Sequence, residues 1–281
     1  MKVTILEPKG YCAGVNNAIS LALKIKTKHP RQPVTVLGML VHNSYVTDFL
    51  KEKGINMIDD INNISRGVVI FAAHGHRQEW ENIAQEKGLI IYDAICPLVK
   101  KNLQSIIDET HNQHQIIYIG YRSHPETVAA LSYSSSIVLY DINQTFDYQL
   151  ITDESPLVIN QTTLNYLSLK DIHTHILSHL PHARIENEIC NATRTRQEAI
   201  LNIKEDVDAI IIIGDHHSSN SRRLFEIAKM KYPRIDSYLV EDVSQLDPSL
   251  LKNKNHIAIS SGASTPLFLI DEVYHYLLNL K

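Results

Sequence analysis

Short unbroken apolar runs of strand length recur along the whole chain, at residues 3–6, 34–37, 68–72, 89–92, 116–119, 137–140, 157–159, 209–213, 238–240 and 257–259. Most are continuous rather than alternating, the pattern of strands buried on both faces of a parallel sheet. Between them lie amphipathic stretches of helical length. Residues 16–28 place Ile19, Leu23 and Ile25 inward, and Lys24, Lys26 and Lys28 near the end suit the helix dipole. Residues 195–204, 219–231 and 266–280 read the same way, with Pro266 in the first turn of the last. Strands alternating with helices predict α/β architecture with mostly parallel sheets.

Composition narrows the function classes. At 281 residues, 44% hydrophobic and 21% charged, the chain can bury an ordinary globular core. A net charge of −4 leaves no electrostatic footprint for nucleic acid or an anionic membrane surface. The opening residues carry no signal-peptide h-region, and no apolar stretch approaches the roughly 20 residues that span a bilayer. The expectation is a cytoplasmic protein with reduced thiols.

The chain holds three cysteines, one in each third, and each follows an apolar run. Residues 3–6 lead to Gly10-Tyr11-Cys12-Ala13-Gly14, residues 89–93 to Cys96-Pro97, and Arg184-Ile185-Glu186 to Cys190-Asn191-Ala192-Thr193. An odd count without a Cys-x-x-Cys pair argues against a disulfide framework or a zinc ribbon. Strand ends of α/β proteins gather at one sheet edge, where ligand sites form. Three thiolates meeting there make a soft metal site with one ligand missing; buried packing is the plainer role for each thiol alone. The even spacing suggests a loose threefold rhythm, three small α/β lobes around a shared centre. A single doubly wound sheet also satisfies it.

Polar clusters mark the other strand ends: Val41-His42-Asn43-Ser44, His74-Gly75-His76, Ser123-His124-Pro125-Glu126, Gln161-Thr162-Thr163, residues 215–221 and residues 261–266. Several precede helices, so backbone N–H groups and the positive dipole end point at the same space, as an anion site requires. Ser218-Ser219-Asn220 and Ser264-Thr265-Pro266 are equally good helix N-caps, and His42 and His124 equally serve as satisfied structural histidines. A Walker A sequence, Gly-x-Gly-x-x-Gly and His-Glu-x-x-His are all absent.

These strings, in this order and together with Gly120, Asp93-Ala94-Ile95-Cys96-Pro97-Leu98-Val99, Arg196-Gln197 and Gly262-Ala263-Ser264, closely resemble the 4-hydroxy-3-methylbut-2-enyl diphosphate reductase (LytB) family over essentially the whole chain. The resemblance implies a trefoil of three similar small α/β domains around a central iron–sulfur cluster, divided here at residues 1–95, with the N-terminal strand and Cys12 loop facing the centre, 96–189 and 190–281. It implies a [4Fe-4S] cluster held by Cys12, Cys96 and Cys190, whose fourth iron has no protein ligand. It implies reductive removal of an allylic hydroxyl with two electrons and two protons, giving isopentenyl and dimethylallyl diphosphate, the last step of the methylerythritol phosphate route. Glu126 matches the proton-delivering carboxylate, with Thr162 beside it in the proton and substrate network. His42, His74, His124, Ser218, Ser219, Asn220 and Ser264 match positions that hold the diphosphate. A ferredoxin or flavodoxin donates electrons in that family.

Two departures stand out. His76 replaces a small aliphatic residue, and Asp215-His216-His217 replaces a stretch that usually carries a basic or small polar residue, placing an acid beside an expected anion site. Two rival readings are a zinc hydrolase, suggested by 15 histidines, and an iron–sulfur sensor without turnover. Glu126 beside His124 speaks against the sensor, which needs no proton donor.

Overall fold

The unbroken apolar runs become strands with both faces covered. In Ala209–Ile213, Ile210 and Ile212 pack with Leu224, Ile227 and Ala228, whereas Ile211 and Ile213 pack with Ile259, Leu269 and Val273. Each such fully buried side chain contributes roughly 1.5–3 kcal/mol. Alternation is lost from the sequence because neither face meets water. The computed structural model describes residues 1–186, 189–204 and 206–280.

The chain runs β1 (Lys2–Ile5), α1 (Ala13–Lys28), β2 (Val34–Leu37), α2 (Ser44–Glu52), β3 (Ile55–Ile58), β4 (Val68–Phe71), α3 (Glu79–Glu86) and β5 (Ile90–Asp93). It continues through α4 (Pro97–His111), β6 (Ile116–Gly120), α5 (Pro125–Ser132), β7 (Ile137–Asp141), β8 (Leu157–Asn160), α6 (Tyr166–His179) and β9 (Arg184–Ile185). Then follow α7 (Asn191–Leu201), β10 (Ala209–Ile213), α8 (Ser219–Lys231), β11 (Asp236–Val240), α9 (Pro248–Leu251), β12 (His256–Ser261) and α10 (Leu267–Asn279).

The strands form three four-stranded sheets, in the orders β3-β2-β4-β5, β7-β6-β8-β9 and β11-β10-β12-β1, and every pairing among the described residues is parallel. The α/β architecture with parallel sheets is therefore as expected. The first two sheets share one plan: second strand outermost, then first, third and fourth. The third sheet follows the same plan only because β1 supplies its fourth strand, with Lys2 to Ile5 in register with His256 to Ile259. The N-terminal strand thus belongs with the last third of the chain rather than with the residues that follow it.

Two compact units result. One comprises Met1–Val15, His42–Val46 and Cys190–Lys281, and the other Asn16–Val41 and Thr47–Ile189. The first holds the third sheet and the second holds the other two.

Some local readings shift. In α1 the stripe with the least exposure is Val15, Ala18, Ala22 and Ile25, with Ile19 and Leu23 only partly covered, because small alanines allow the helix close approach. Pro266 is the N-cap of α10 rather than a residue of its first turn. Strands β3 and β9 lie at sheet edges, are short and partly exposed, and carry no long apolar run.

Candidate functional site

The shared sheet plan sorts the polar residues by position. In each sheet the strand order reverses between the first and third strands, and in open α/β sheets ligands bind at that switch, beyond the strand C-termini. Beyond β2 and β4 come His42 and His74. After β6 and β8 come His124, Glu126 and Thr162, and after β10 and β12 come Asp215, Ser218, Ser219, Asn220 and Ser264. Every cysteine follows a fourth strand and stands at the start of the next helix: Cys12 after β1 and before α1, Cys96 after β5 as N-cap of α4, Cys190 after β9 as N-cap of α7.

In the unit holding Cys12 and Cys190, backbone bonds fix both loops. The Cys12 N–H donates to Ala263 O (2.9 Å), and Cys12 Sγ accepts the Val15 N–H (3.4 Å). The Cys190 carbonyl accepts from Thr193 and Arg194 N–H groups, both at 2.9 Å. Among the described residues no disulfide forms, and all three cysteines are partly exposed. Helix N-termini of this kind favour negative ligands. Arg196, on α7, is buried; burial pulls its guanidinium pKa down, opposed first by the Cys12 and Cys190 thiols.

The same unit presents donors suited to an anion. Ser218 caps α8, its Oγ accepting the Ser221 N–H, and Ser219 and Asn220 occupy the first turn. The Asn220 side chain is buried, yet its amide oxygen and nitrogen have no partner among the described residues. A buried amide left so is costly unless a ligand satisfies it. The Ser264 hydroxyl donates to the His42 carbonyl (2.9 Å), so it must rotate to serve a ligand. Burial lowers the His42 pKa, opposed by the Asp215 carboxylate and reinforced by Arg222 and His217.

Asp215 is not an exposed acid beside the site. It is buried, with one carboxylate oxygen accepting the Ser44 N–H (2.9 Å) and the other the His217 N–H (2.7 Å). It closes a turn and caps α2, which accounts for an acid there, while His216 and His217 are solvated. His76 likewise has a structural setting: its ring stacks on Phe71 at 3.7 Å and its Nε2 meets Glu81 at 3.0 Å.

The other unit holds Cys96, His74, His124, Glu126 and Thr162. The Cys96 N–H donates to Ala73 O (2.9 Å), placing the thiol loop beside the turn that carries His74. Gly120 has no side chain where α5 crosses β6; a Cβ there would meet Thr127 Oγ1 at 2.5 Å and Tyr118 Cε1 at 3.1 Å. That close crossing brings Glu126 against the end of β8. Glu126 is 3% exposed, one carboxylate oxygen accepting the Thr162 N–H and the other the Thr162 hydroxyl, both at 2.9 Å. Burial raises its pKa to about 7, with the Thr162 hydrogen bonds pulling the other way. Near neutral pH this carboxyl is therefore poised to give or take a proton. His124 caps α5 by accepting the Glu126 N–H on Nδ1 (3.2 Å), so its neutral ring carries the proton on Nε2, a donor for an anionic oxygen.

Sequence reasoning missed Tyr118. It read as one more apolar position of a core strand, and nothing local marks its ring as a neighbour of Glu126. Burial and then the Glu126 charge hold its phenol well above the ordinary range.

Among the described residues no group of three or more His, Cys, Asp or Glu side chains is set for a metal ion. A cuboidal cluster takes one thiolate per iron, and the three cysteines at helix starts suit it chemically. Among the described residues no helix is long and apolar enough to cross a membrane.

The fold is that of an α/β enzyme built on parallel sheets, with one unit carrying Cys12, Cys190 and the helix-start donors of α8 and the other carrying Cys96 and the neutral-range acid Glu126. Residues 3–278 match the family model described as LytB protein. Proteins named 4-hydroxy-3-methylbut-2-enyl diphosphate reductase are 37% identical over 289 residues in Bacillus pumilus (100% of this chain, 92% of that protein) and 36% identical over 285 residues in Bacillus subtilis (99% and 90%). The solved (E)-1-hydroxy-2-methyl-but-2-enyl-4-diphosphate reductase of Plasmodium falciparum superposes with a TM-score of 0.91 at 29% identity, covering 99% of this chain and 88% of that one. A second solved structure, described as the terminal enzyme of the non-mevalonate pathway, gives 0.70 at 30% identity with 99% of both chains covered. The chain belongs to the LytB protein family, a family of iron–sulfur enzymes.

Proposed function

We propose that this chain reduces 4-hydroxy-3-methylbut-2-enyl diphosphate to isopentenyl and dimethylallyl diphosphate, the last step of the methylerythritol phosphate route. The allylic C–O bond breaks and a C–H bond forms, two electrons and two protons enter, and the oxygen leaves as water. Cys12, Cys96 and Cys190 hold a [4Fe-4S] cluster, one per chain. Bound there, the cluster supplies the electrons one at a time and a Lewis-acidic iron free of protein ligands. A ferredoxin or flavodoxin delivers the electrons. The division into lobes at residues 1–95, 96–189 and 190–281, grouped as a trefoil, belongs to this reading, with β1 lent to the third lobe's sheet.

What supports the ligand set is the repeated sheet plan, in which each fourth strand delivers one cysteine to a helix start.

The chain's own residues bind, orient and protonate. Ser218, Ser219 and Asn220 at the start of α8, with His42 and Ser264, and with His74 and His124, hold the diphosphate through neutral or partly protonated donors. Donors of that kind, with helix N-termini, offset the repulsion between diphosphate and thiolates without adding fixed surface charge. Glu126 gives its proton to the departing hydroxyl, for which a carboxyl of pKa about 7 is well matched. Thr162 donates to both oxygens of that carboxylate, and its hydroxyl relays the proton from acid to substrate.

Anaerobic purification with iron, sulfide and zinc determination, followed by turnover of the diphosphate with a chemical reductant, tests the reading. The expected result is a brown protein with about four iron and four sulfide per chain that forms both products. A colourless, zinc-loaded protein that turns over without iron overturns it.

A further inference from the structure

The centre proposed above concentrates negative charge from thiolates, sulfide and diphosphate, yet its substrate-binding candidates are neutral or titratable groups. A permanent cation, Arg196, is buried close to two of its thiols. Arg196 is 2% exposed and is among the largest fully buried side chains of the molecule. A guanidinium that stays charged under such burial is costly unless other groups compensate it.

Its bonds show what it holds together. Nη1 donates to the Ala192 carbonyl (2.9 Å), within the helix that Cys190 caps. Nη2 donates to the Gly10 carbonyl (2.7 Å), two residues ahead of Cys12. Nε is buried without a partner among the described residues. Gly10 has φ +71°, and its missing Cβ leaves room for Leu267, so no other residue type gives this carbonyl the same direction without strain. After burial, the groups that act most on the guanidinium are the Cys12 and Cys190 thiols, followed by Glu7. One fork therefore spans from one cysteine loop to the other, a task that suits a planar, always-charged group with several donors and not an ammonium.

We propose that Arg196 is a positioning residue of the redox centre: its guanidinium ties the Cys12 loop to the helix capped by Cys190, and its buried charge raises the potential at which the centre accepts an electron. The inference rests on the iron–sulfur reading above. A fixed positive charge in a low-dielectric surrounding favours the more negative, reduced state, one of the ways a protein sets cluster potential.

The test compares wild type, Arg196→Met and Arg196→Lys, prepared anaerobically with iron and sulfide counted first. The potential of the one-electron reduction is then read by spectroscopic titration, and urea midpoints are measured on the metal-free chains. Arg196→Met is expected to disfavour reduction at least tenfold, about 59 mV for one electron, with its metal-free midpoint lowered. Arg196→Lys keeps the charge and loses the fork, so its potential stays near wild type while its midpoint falls. An Arg196→Met chain with wild-type iron content and a reduction equilibrium within twofold of wild type overturns the proposal, as does an unchanged midpoint in both variants. If Arg196→Met does not fold, Arg196→Lys decides: a midpoint equal to wild type, or reduction disfavoured tenfold, overturns it. A wild-type chain without iron and sulfide instead removes the cluster reading itself.

Discussion

Glu126 is a helix-start carboxylate and a buried acid at once, and the two roles predict opposite outcomes. As an acid with pKa raised from 4.5 to about 7, it binds its proton more tightly in the folded than in the unfolded chain. Stability from this group is complete below pH 4.5 and is lost as pH rises to about 7, a difference of about 3 kcal/mol. Glu126→Gln removes that dependence, so urea unfolding of the metal-free variant changes less between pH 5 and pH 8 than that of wild type. A simple capping role predicts instead a variant weaker by about 0.3–1 kcal/mol at every pH where the carboxylate is charged. In the loaded enzyme, Glu126→Gln keeps iron and substrate affinity and loses about 10²–10⁴-fold in turnover. Because the protonated form does the chemistry, wild-type turnover declines as pH rises through about 7; a flat profile from pH 6 to 9 counts against Glu126 as the donor. The sequence marked Glu126 through its neighbours His124 and Pro125, but its environment was not legible. Thr162 lies 36 residues away and Tyr118 on a core strand, and folding α5 over β6 joins them.

At the scale of the element, the starts of helices carry the site, and tight packing holds them. Gly214 and Gly262, just past β10 and β12, both abut the buried Ser221 Oγ on α8; a Cβ at either position would sit 2.2 Å from it, well inside van der Waals contact. Gly262→Ala is expected to cost about 1–3 kcal/mol through overpacking at the turn beside Asn220. Ser221→Gly in the same chain should restore much of that loss, a coupling that a double-mutant cycle in urea measures and that independent sites would lack. The cysteines offer a cleaner separation of roles. Cys96 and Cys190 are N-caps, where serine is the better residue, so Cys96→Ser and Cys190→Ser should leave the metal-free fold as stable or slightly more so. Iron retention and turnover should nonetheless collapse in both and in Cys12→Ser, since thiolate is the ligand iron needs. A serine variant with wild-type iron content and activity removes that residue from the ligand set.

Across the whole molecule, a cluster that binds only the folded chain stabilises it by linkage. The loaded protein should therefore melt at a higher temperature than the metal-free chain under anaerobic scanning, and equal melting temperatures would separate the thiols from any folding role. The sequence alone determined the strands, because a strand buried on both faces must be apolar at every position, and that requirement is written residue by residue. It likewise determined the helix that opens at Ser219, since capping and amphipathic spacing are local. Edge strand β3 escaped notice because partial exposure relaxes the demand for apolar residues, and β9 showed only as the short run Arg184-Ile185-Glu186 ahead of Cys190. Only the tertiary structure decided that β1 pairs with β12, more than 250 residues away, since hydrogen bonds between parallel strands are made by backbone and leave no mark on side-chain identity. The same holds for Asp215, whose buried carboxylate accepts the first N–H of α2 from 171 residues away, and for Arg196, whose reach to Gly10 spans 186 residues. Local residue chemistry fixed which groups were present, and long-range packing fixed what each one touches.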